Sequence, residues 1–151
     1  MALTSRLRRW QIGSLALFLV AGVALCLPSC GSGRKAVYQV HGQVFAKNGQ
    51  PAADAFVVFH PVDAADGDAH IPSAYVNEDG SFSLTTYTQG DGAPVGEYIV
   101  TIEWRPRVKS AFDPNRHGRD KLEGRYSNVA KSKLRFTIEK KSSDLPPIQL
   151  D

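Results

Sequence analysis

The chain has 151 residues, with 18 lysines and arginines against 15 aspartates and glutamates. Three of the arginines, Arg6, Arg8 and Arg9, precede a long uncharged apolar run, and without them the basic and acidic side chains are equal in number. A neutral body lacks the basic footprint with which proteins bind nucleic acid, so nucleic acid is excluded as the expected partner. The remaining length suits one domain with a modest core.

The first 29 residues have the layout of a secretory signal peptide. The positive segment is followed by an apolar stretch, 12–27, and the small residue Ser29 stands directly before Cys30. With Leu27 three positions before the cysteine, this segment resembles a bacterial lipobox. The resemblance implies cleavage before Cys30 and a lipid on its sulfur, a diacylglyceryl thioether with acyl chains such as palmitate. The arginines predict that the rest of the chain faces away from the cytoplasm.

Two alternatives remain open for this segment: an uncleaved membrane anchor and an ordinary secreted protein. A spanning helix needs about 20 mostly apolar residues, and this stretch meets Pro28 sooner. Cys26 lies inside the leader, so lipidation of Cys30 would leave no cysteine for a disulfide. Gly31 is not the Asp that retains lipoproteins at the inner membrane in proteobacteria, so the resemblance favours the outer membrane.

Beyond a short tether, 30–36, the apolar pattern has a period of two, which is typical of strands. We predict about seven strands, over residues 38–44, 55–60, 73–76, 81–86, 98–104, 134–138 and 145–150. The strand at 55–60 is apolar on both faces, so we expect it to be central.

Glycine-containing turns separate the predicted strands. Asn48-Gly49 and Asp79-Gly80 favour tight turns because these residue types tolerate positive φ. Pro51 is expected to bar strand pairing just after the first turn. Longer loops are predicted at 61–72, at 90–94 and at 105–121; the last, named here the basic loop, holds six basic residues against two acidic ones.

No helical period follows the leader. Short strands at intervals of roughly 8–12 residues predict an all-β protein, a single antiparallel β-sandwich of about seven strands. The predicted organisation is therefore a signal peptide at 1–29, a lipidated cysteine and tether at 30–36, and a β-sandwich domain at 37–151.

Four segments of the predicted domain are similar to a known family. They read VHGQVFAKNGQPAADAFVVFHP, VNEDGSFSLTTYTQGDGAPVGEYIVTIEW, GRYSN and LPPIQL. In this order they resemble the carboxypeptidase regulatory-like, or transthyretin (prealbumin)-like, β-sandwich domain, which occurs alone in small predicted planctomycete lipoproteins. The resemblance covers about 37–150 and is weakest in the basic loop. It implies a fold and an envelope location, but no activity, because such sandwiches serve many functions.

The residues that carry metal chemistry elsewhere do not form a motif here. The four histidines, at positions 41, 60, 70 and 117, have no ligand spacing such as HExxH or HxH. Asp63, Asp66 and Asp68 resemble a calcium loop but lack the DxDxDG spacing and the closing glutamate. Asn77, Glu78 and Asp79 are residue types that a turn needs in any case. We therefore predict no metal ligand and no cofactor.

Catalytic motifs are also missing from the sequence. There is no GxSxG nucleophile, and lipidation would consume the one thiol outside the leader. Two enzyme families with similar sandwiches, hydroxyisourate hydrolase and the intradiol dioxygenases, carry a terminal Tyr-Arg-Gly-Ser motif and an HxH iron pair, neither of which occurs here. We therefore predict that the protein is not an enzyme and that no residue is catalytic.

Two surfaces remain as candidates for binding. The basic loop is either a solvated loop or a contact for anionic headgroups, envelope polymers or an acidic partner. Tyr98, Trp104 and Tyr126 either form a platform for a sugar or belong to the core, and the alternation of the strand favours the core. We predict a lipid-anchored envelope module that binds an envelope protein or a polysaccharide. The alternatives are a metal- or carbohydrate-binding protein, a transthyretin-like small-ligand binder and an enzyme.

Overall fold

The structure, a computed structural model, describes residues 34–63, 70–108, 112–113 and 116–151. Within the unit Lys35–Asp151 these residues form strands and one turn of 3-10 helix, Val129–Lys131. The strands are β1 (Val37–Tyr38), β2 (Val40–Phe45), β3 (Ala55–Pro61), β4 (Ser73–Tyr75), β5 (Ser81–Ser83), β6 (Ala93–Pro94), β7 (Gly96–Trp104), β8 (Arg135–Ile138), β9 (Ser143–Asp144) and β10 (Ile148–Gln149). No helix in this described part is long and apolar enough to cross a membrane.

The larger sheet has the strand order β4-β3-β7-β8, and all of its pairs are antiparallel. Strands β3 and β7 pair over seven residues, from Ala55 opposite Trp104 to Pro61 opposite Tyr98. The prediction that the doubly apolar strand is central is confirmed, because β3 has a neighbour on each side. The prediction of an all-β protein is confirmed for the described residues.

The second sheet is built around β2, which pairs with β5, β9 and β10. The prediction of a wholly antiparallel arrangement is wrong for the C-terminal tail, since β9 and β10 run parallel to β2. The tail first pairs with β2 at Ser143, which lies opposite Val40, the first residue of β2. It then runs in the same direction as β2, so that Ile148 lies opposite Val44. Pro146 falls between β9 and β10 and lacks the N–H that a continuous strand would need.

The strands are also shorter and more numerous than the seven predicted. Besides the divided tail, the predicted loop at 90–94 contains β6, which pairs with β1 as a separate two-stranded sheet. This close pairing depends on Gly92, whose φ is +97° and whose missing Cβ would lie 1.7 Å from the Tyr38 carbonyl oxygen. No other residue type fits there without moving the backbone.

Both four-stranded sheets contribute side chains to one hydrophobic core. The Phe59 ring of β3 lies with its centroid 6.4 Å from that of Phe82 in β5, and 5.9 Å from those of Tyr98 and Phe136. The core residues exposed by at most 2 % include Val40, Val44, Val57, Phe59, Phe82, Leu84, Val100, Ile102, Ile138 and Leu150. Alternate side chains of β2, β3 and β7 are therefore buried in this core, as the period of two predicted.

Both predicted turns are present. Gly49 and Gly80 have φ values of 77° and 87°, so each supplies the positive φ that the turn requires. The prediction that Pro51 bars pairing is wrong, because Pro51 forms an antiparallel bridge with Phe45. The hydrogen bonds around this bridge come from the neighbouring residues, with Ala46 N–H donating to the Gln50 carbonyl and Ala52 N–H to the Val44 carbonyl. The missing N–H of proline is therefore not needed there.

A substitution at Gly42 tests the packing between β2 and β5. Gly42 is buried opposite Phe82, and an added Cβ would lie 2.5 Å from Phe82 Cζ. Because the ring is confined in the core, we expect Gly42→Ala to lower the free energy of unfolding by about 1–3 kcal/mol in urea titrations. The matched control is Gln43→Ala on the exposed face of the same strand, which should change it by less than about 0.5 kcal/mol. Equal stability of the two variants would contradict this packing.

Candidate functional site

Two clefts lie at opposite ends of β7. The Tyr98 cleft has a volume of about 240 Å³ and is lined by Lys35, Asp63, His70, Tyr87, Glu97 and Tyr98, among others. The Trp104 cleft has a volume of about 530 Å³ and is lined by Lys47, Asn48, Gln50, Trp104, Lys121 and Arg125, together with Asp151 and an apolar floor. Since ligand pockets commonly have volumes of about 300–1,000 Å³, the Trp104 cleft is the better candidate for a binding site.

Trp104 ends β7 and forms one wall of the cleft. Its indole N–H donates a hydrogen bond of 2.8 Å to the Ala53 carbonyl oxygen, and the side chain is half-buried and packs against the core. The ammonium group of Lys121 lies over the ring, 4.2 Å from its centroid. One hydrogen bond, the core contact and a cation–π contact therefore fix the orientation of the indole.

Asp120 holds the turn that carries Lys121 to Trp104. Its Oδ1 accepts hydrogen bonds from the backbone N–H groups of Trp104, at 2.9 Å, and Leu122, at 3.0 Å. Its Oδ2 accepts one from the Gly124 N–H at 2.8 Å. Burial raises the pKa of this carboxyl, but the three backbone donors and nearby Arg105 outweigh burial and hold the pKa below its ordinary value.

The charged groups of the Trp104 cleft are mostly cations. Lys47, Lys121 and Arg125 face one side-chain carboxylate, that of Asp151. Among the described residues none of the three cations forms an ion pair, although Arg125 Nε donates to the Leu122 carbonyl oxygen at 3.2 Å. The side chains that line the cleft therefore carry an excess of positive charge.

The cations of the basic loop do not all line the same surface. Arg105 Nε lies 3.2 Å from Glu103, and Arg107 Nε lies 3.6 Å from Asp54, so carboxylates outside the loop neutralise both. Lys121 belongs to the Trp104 cleft. Residues 109–111 and 114–115 are outside the described part. The structure thus assigns part of the loop's charge to ion pairs and one lysine to the cleft.

Two of the histidines make cross-strand hydrogen bonds. His41 Nδ1 and Ser83 Oγ are 2.8 Å apart, and His60 Nε2 and Thr101 Oγ1 are 2.9 Å apart. Burial lowers the pKa of His60, because the charged imidazolium is poorly solvated there. Both side chains therefore have partners within the sheets.

The remaining candidate ligands do not converge. His70 packs its ring against Tyr87 at a centroid distance of 5.0 Å, and His117 is exposed. Asp63 is exposed, whereas residues 66–68 of the calcium-like segment lie outside the described residues. Within the described part, no group of three or more histidine, cysteine, aspartate or glutamate residues has the geometry of a metal site.

The acidic turn at 77–80 is occupied by its own hydrogen bonds. Asp79 Oδ1 accepts from the Ser81 hydroxyl at 2.6 Å and from the Ser81 N–H at 2.9 Å. The hydroxyl, and after it the N–H, lowers the pKa of Asp79. The Asn77 amide donates to the same hydroxyl. Asn77 and Asp79 therefore stabilise the turn, as their residue types suggested.

Asp91 and Asp120 have structural roles that the sequence analysis missed. Asp91 accepts hydrogen bonds from the backbone N–H groups of Thr86, Tyr87 and Thr88, at 2.8–3.0 Å. Burial raises its pKa, but these donors outweigh burial and the net shift is downward. The available signal was an aspartate next to a glycine-containing turn, since such carboxylates commonly bind nearby backbone donors.

The three aromatic residues do not form one sugar platform. Tyr98 and Trp104 are six residues apart along one strand, a distance of about 20 Å, and Tyr98 is 2 % exposed. Its hydroxyl donates to the Pro94 carbonyl oxygen at 2.8 Å. Tyr126 packs against the core, and its hydroxyl accepts from the Asp151 N–H. The favoured core role is therefore confirmed for Tyr98, and Trp104 and Tyr126 lie at the core's edge.

Cys30, the predicted site of lipidation, lies outside the described residues, as does the predicted signal peptide. Its lipidation stays a prediction.

Replacing Asp120 tests the turn beneath the cleft. Asp120→Asn keeps the shape of the side chain but places an NH₂ group where Oδ2 accepts from Gly124, so we expect a loss of about 1–3 kcal/mol in unfolding free energy near neutral pH. The neighbouring exposed carboxylate offers a control, Glu123→Gln, which should leave stability nearly unchanged.

The cost of Asp120→Asn should depend on pH. Because the pKa of Asp120 is lower in the folded state, the unfolded chain takes up the proton first as the pH falls. The stabilisation is therefore complete above the ordinary pKa of about 3.9 and is lost as the pH falls through the folded value. Stability curves of Asp120→Asn and the native chain that run parallel from pH 7 to pH 2 would contradict this role.

Comparison with known proteins yields little similarity. No protein-family model matches the chain, and no curated protein matches it. Among solved structures, the chain is similar to a crystal structure of a 9R-lipoxygenase from Cyanothece PCC8801, with a TM-score of 0.42 and 8 % identity. The match covers 76 % of this chain but 16 % of the lipoxygenase. A likeness of this size carries no inference about fold or function.

Proposed function

We propose that the protein is a bacterial cell-envelope lipoprotein, anchored in a membrane by lipid on Cys30, whose body is a non-catalytic binding module. In this proposal the two four-stranded sheets form a transthyretin-like β-sandwich of the carboxypeptidase regulatory-like kind. The observation that supports the sandwich is the shared core, in which Phe59 from one sheet contacts Phe82 from the other. The observation that supports binding is the Trp104 cleft, whose three cations lack ion pairs within the described part.

Lys35, the first residue of the unit, lies at the smaller cleft. It lines the Tyr98 cleft, and its backbone N–H donates to the Tyr87 hydroxyl at 3.0 Å. The Trp104 cleft lies at the other end of β7, about 20 Å away along the strand. Within the unit, the larger cleft is therefore remote from the residue at which the unit begins.

Anchoring by lipid is consistent with the membrane physics. One acyl chain gives marginal binding, whereas two or more chains retain a protein stably, at about 0.8 kcal/mol per buried CH₂. A thioether-linked diacylglycerol on Cys30 supplies two chains. The protein would then face away from the cytoplasm, with the outer membrane favoured by Gly31.

Two serine substitutions test the anchor. In the native protein extracted from membranes, we expect intact mass spectrometry to show a chain that begins at Cys30 and carries a diacylglyceryl mass. Cys30→Ser should keep its leader or lose the lipid, because the acceptor sulfur is gone. Cys26→Ser is the matched control and should be processed normally. A native chain with its leader intact and no lipid would contradict the anchor.

A capture experiment tests the binding module. The lipidated protein in detergent, immobilised through an added C-terminal tag, should retain polysaccharide or protein from solubilised envelope. The charge-reversed Lys121→Glu variant should retain markedly less, since the cleft would lose one of its three cations. Capture that is absent, or equal for both forms, would contradict binding through this cleft.

A further inference from the structure

We propose that the Trp104 cleft binds carboxylate-bearing sugar units, that is, an acidic polysaccharide of the uronate type. This inference rests on the proposed binding function and adds the chemical class of the ligand. It is argued from the charge, the hydrogen-bonding groups and the packing of the cleft residues.

The cleft collects cations that are far apart in the sequence. Lys47 comes from the turn after β2, whereas Lys121 is the last residue of the basic loop and Arg125 lies in the turn that begins there. The one anionic side chain in the lining of the cleft is that of Asp151. A cleft lined mainly by one sign of charge concentrates ligands of the opposite sign, so the ligand is an anion.

Two of these cations are held by contacts within the protein. Lys121 is placed by two of them: its backbone N–H donates to the Trp104 carbonyl oxygen at 2.9 Å, and its ammonium lies over the indole. The indole is itself fixed by the Ala53 carbonyl. The Arg125 Nε donates to the Leu122 carbonyl oxygen, which leaves the two terminal NH₂ groups of Arg125 as donors. Guanidinium and ammonium groups both bind carboxylates, and a guanidinium can do so through two parallel hydrogen bonds.

The cleft also carries groups that suit hydroxyls rather than a bare anion. Asn48 and Gln50 line the same cleft. The side-chain Oδ1 of Asn48 accepts the Gln50 backbone N–H at 3.1 Å, so the NH₂ group of Asn48 is the part left to donate. The Gln50 side chain is exposed and offers both a donor and an acceptor. Amides of this kind can both donate to and accept from sugar hydroxyls, whereas an inorganic anion can use only their N–H donors.

The indole itself does not offer a free face to a sugar ring. Trp104 packs against the core, and the Lys121 ammonium lies over its ring. Recognition in this cleft is therefore by charge and hydrogen bonding, without stacking on the indole. It follows that binding should weaken with salt and should require the charge of the ligand.

The test compares two forms of one oligosaccharide. The lipoprotein in detergent is titrated by calorimetry with oligogalacturonate and with the same oligomer as its full methyl ester, which keeps the rings and hydroxyls but removes the charge. We expect the acid to bind and the ester to bind at least about tenfold more weakly, since hydrogen bonds to charged groups contribute that much affinity. Inorganic phosphate is the third ligand and should compete poorly, because it lacks the row of hydroxyls with which the oligomer can use the amides and the cations together.

Matched lysine variants locate the site. Lys121→Gln and Lys47→Gln should each weaken binding of the acid by about tenfold. Lys140→Gln is the control, since it makes the same charge change and should leave affinity unchanged. Lys140 lies two residues after Ile138, which pairs with Gly96 at the opposite end of β7. Melting temperatures equal to that of the native protein establish that the variants are folded.

Each contrary result overturns a stated part of the proposal. Equal affinity for the acid and its ester would show that charge is not recognised, while the binding module itself would stand. Equal losses for Lys121→Gln and Lys140→Gln would place binding on general surface charge. Phosphate that competes as well as the oligomer would reduce the cleft to a plain anion site. Failure to capture any envelope material, in the earlier experiment, would instead remove the proposed function.

Discussion

Backbone pairing along β7 holds the larger sheet together and fixes both clefts. This strand pairs with β3 over seven residues and with β8 over four, and beyond β8 the Ile102 N–H continues the pairing to the Tyr126 carbonyl. Its inward side chains, Tyr98, Val100 and Ile102, are at most 2 % exposed and belong to the core. Its two ends supply walls of the two clefts. A change that bends β7 would therefore disturb the core and both clefts together.

Much of the fold could be predicted because burial leaves a period of two in a strand. The buried positions of β2, β3 and β7 follow that period closely, and the turns at Gly49 and Gly80 are marked by residue types that tolerate positive φ. The direction in which two strands pair leaves no such pattern in the sequence, so the parallel pairing of the C-terminal tail with β2 could not be predicted. The bridge at Pro51 was missed because its hydrogen bonds belong to the residues on either side.

The Trp104 cleft could not be predicted from local patterns. Lys47 and Lys121 are 74 positions apart, and they come together because the turn after β2 lies beside the end of β7. The role of Asp120 was hidden for another reason, since its partners are backbone N–H groups that any sequence supplies. The sequence did predict the charge of the basic loop, but not the contact that joins Arg107 to Asp54. The types of side chain could thus be read from the sequence, whereas which of them lie together in space depends on the fold.

Hydrogen–deuterium exchange with and without oligogalacturonate shows whether β7 connects a stable core to a binding end. In the free lipoprotein, we expect amides of β3 and β7 to exchange last, because they are buried and paired on both sides. The oligomer should then slow exchange in segments 46–51 and 120–125 and leave 94–98, at the other cleft, unchanged. Rapid exchange throughout β7, or protection by the oligomer at 94–98 instead, would show that β7 does not connect a stable core to a binding site at its Trp104 end.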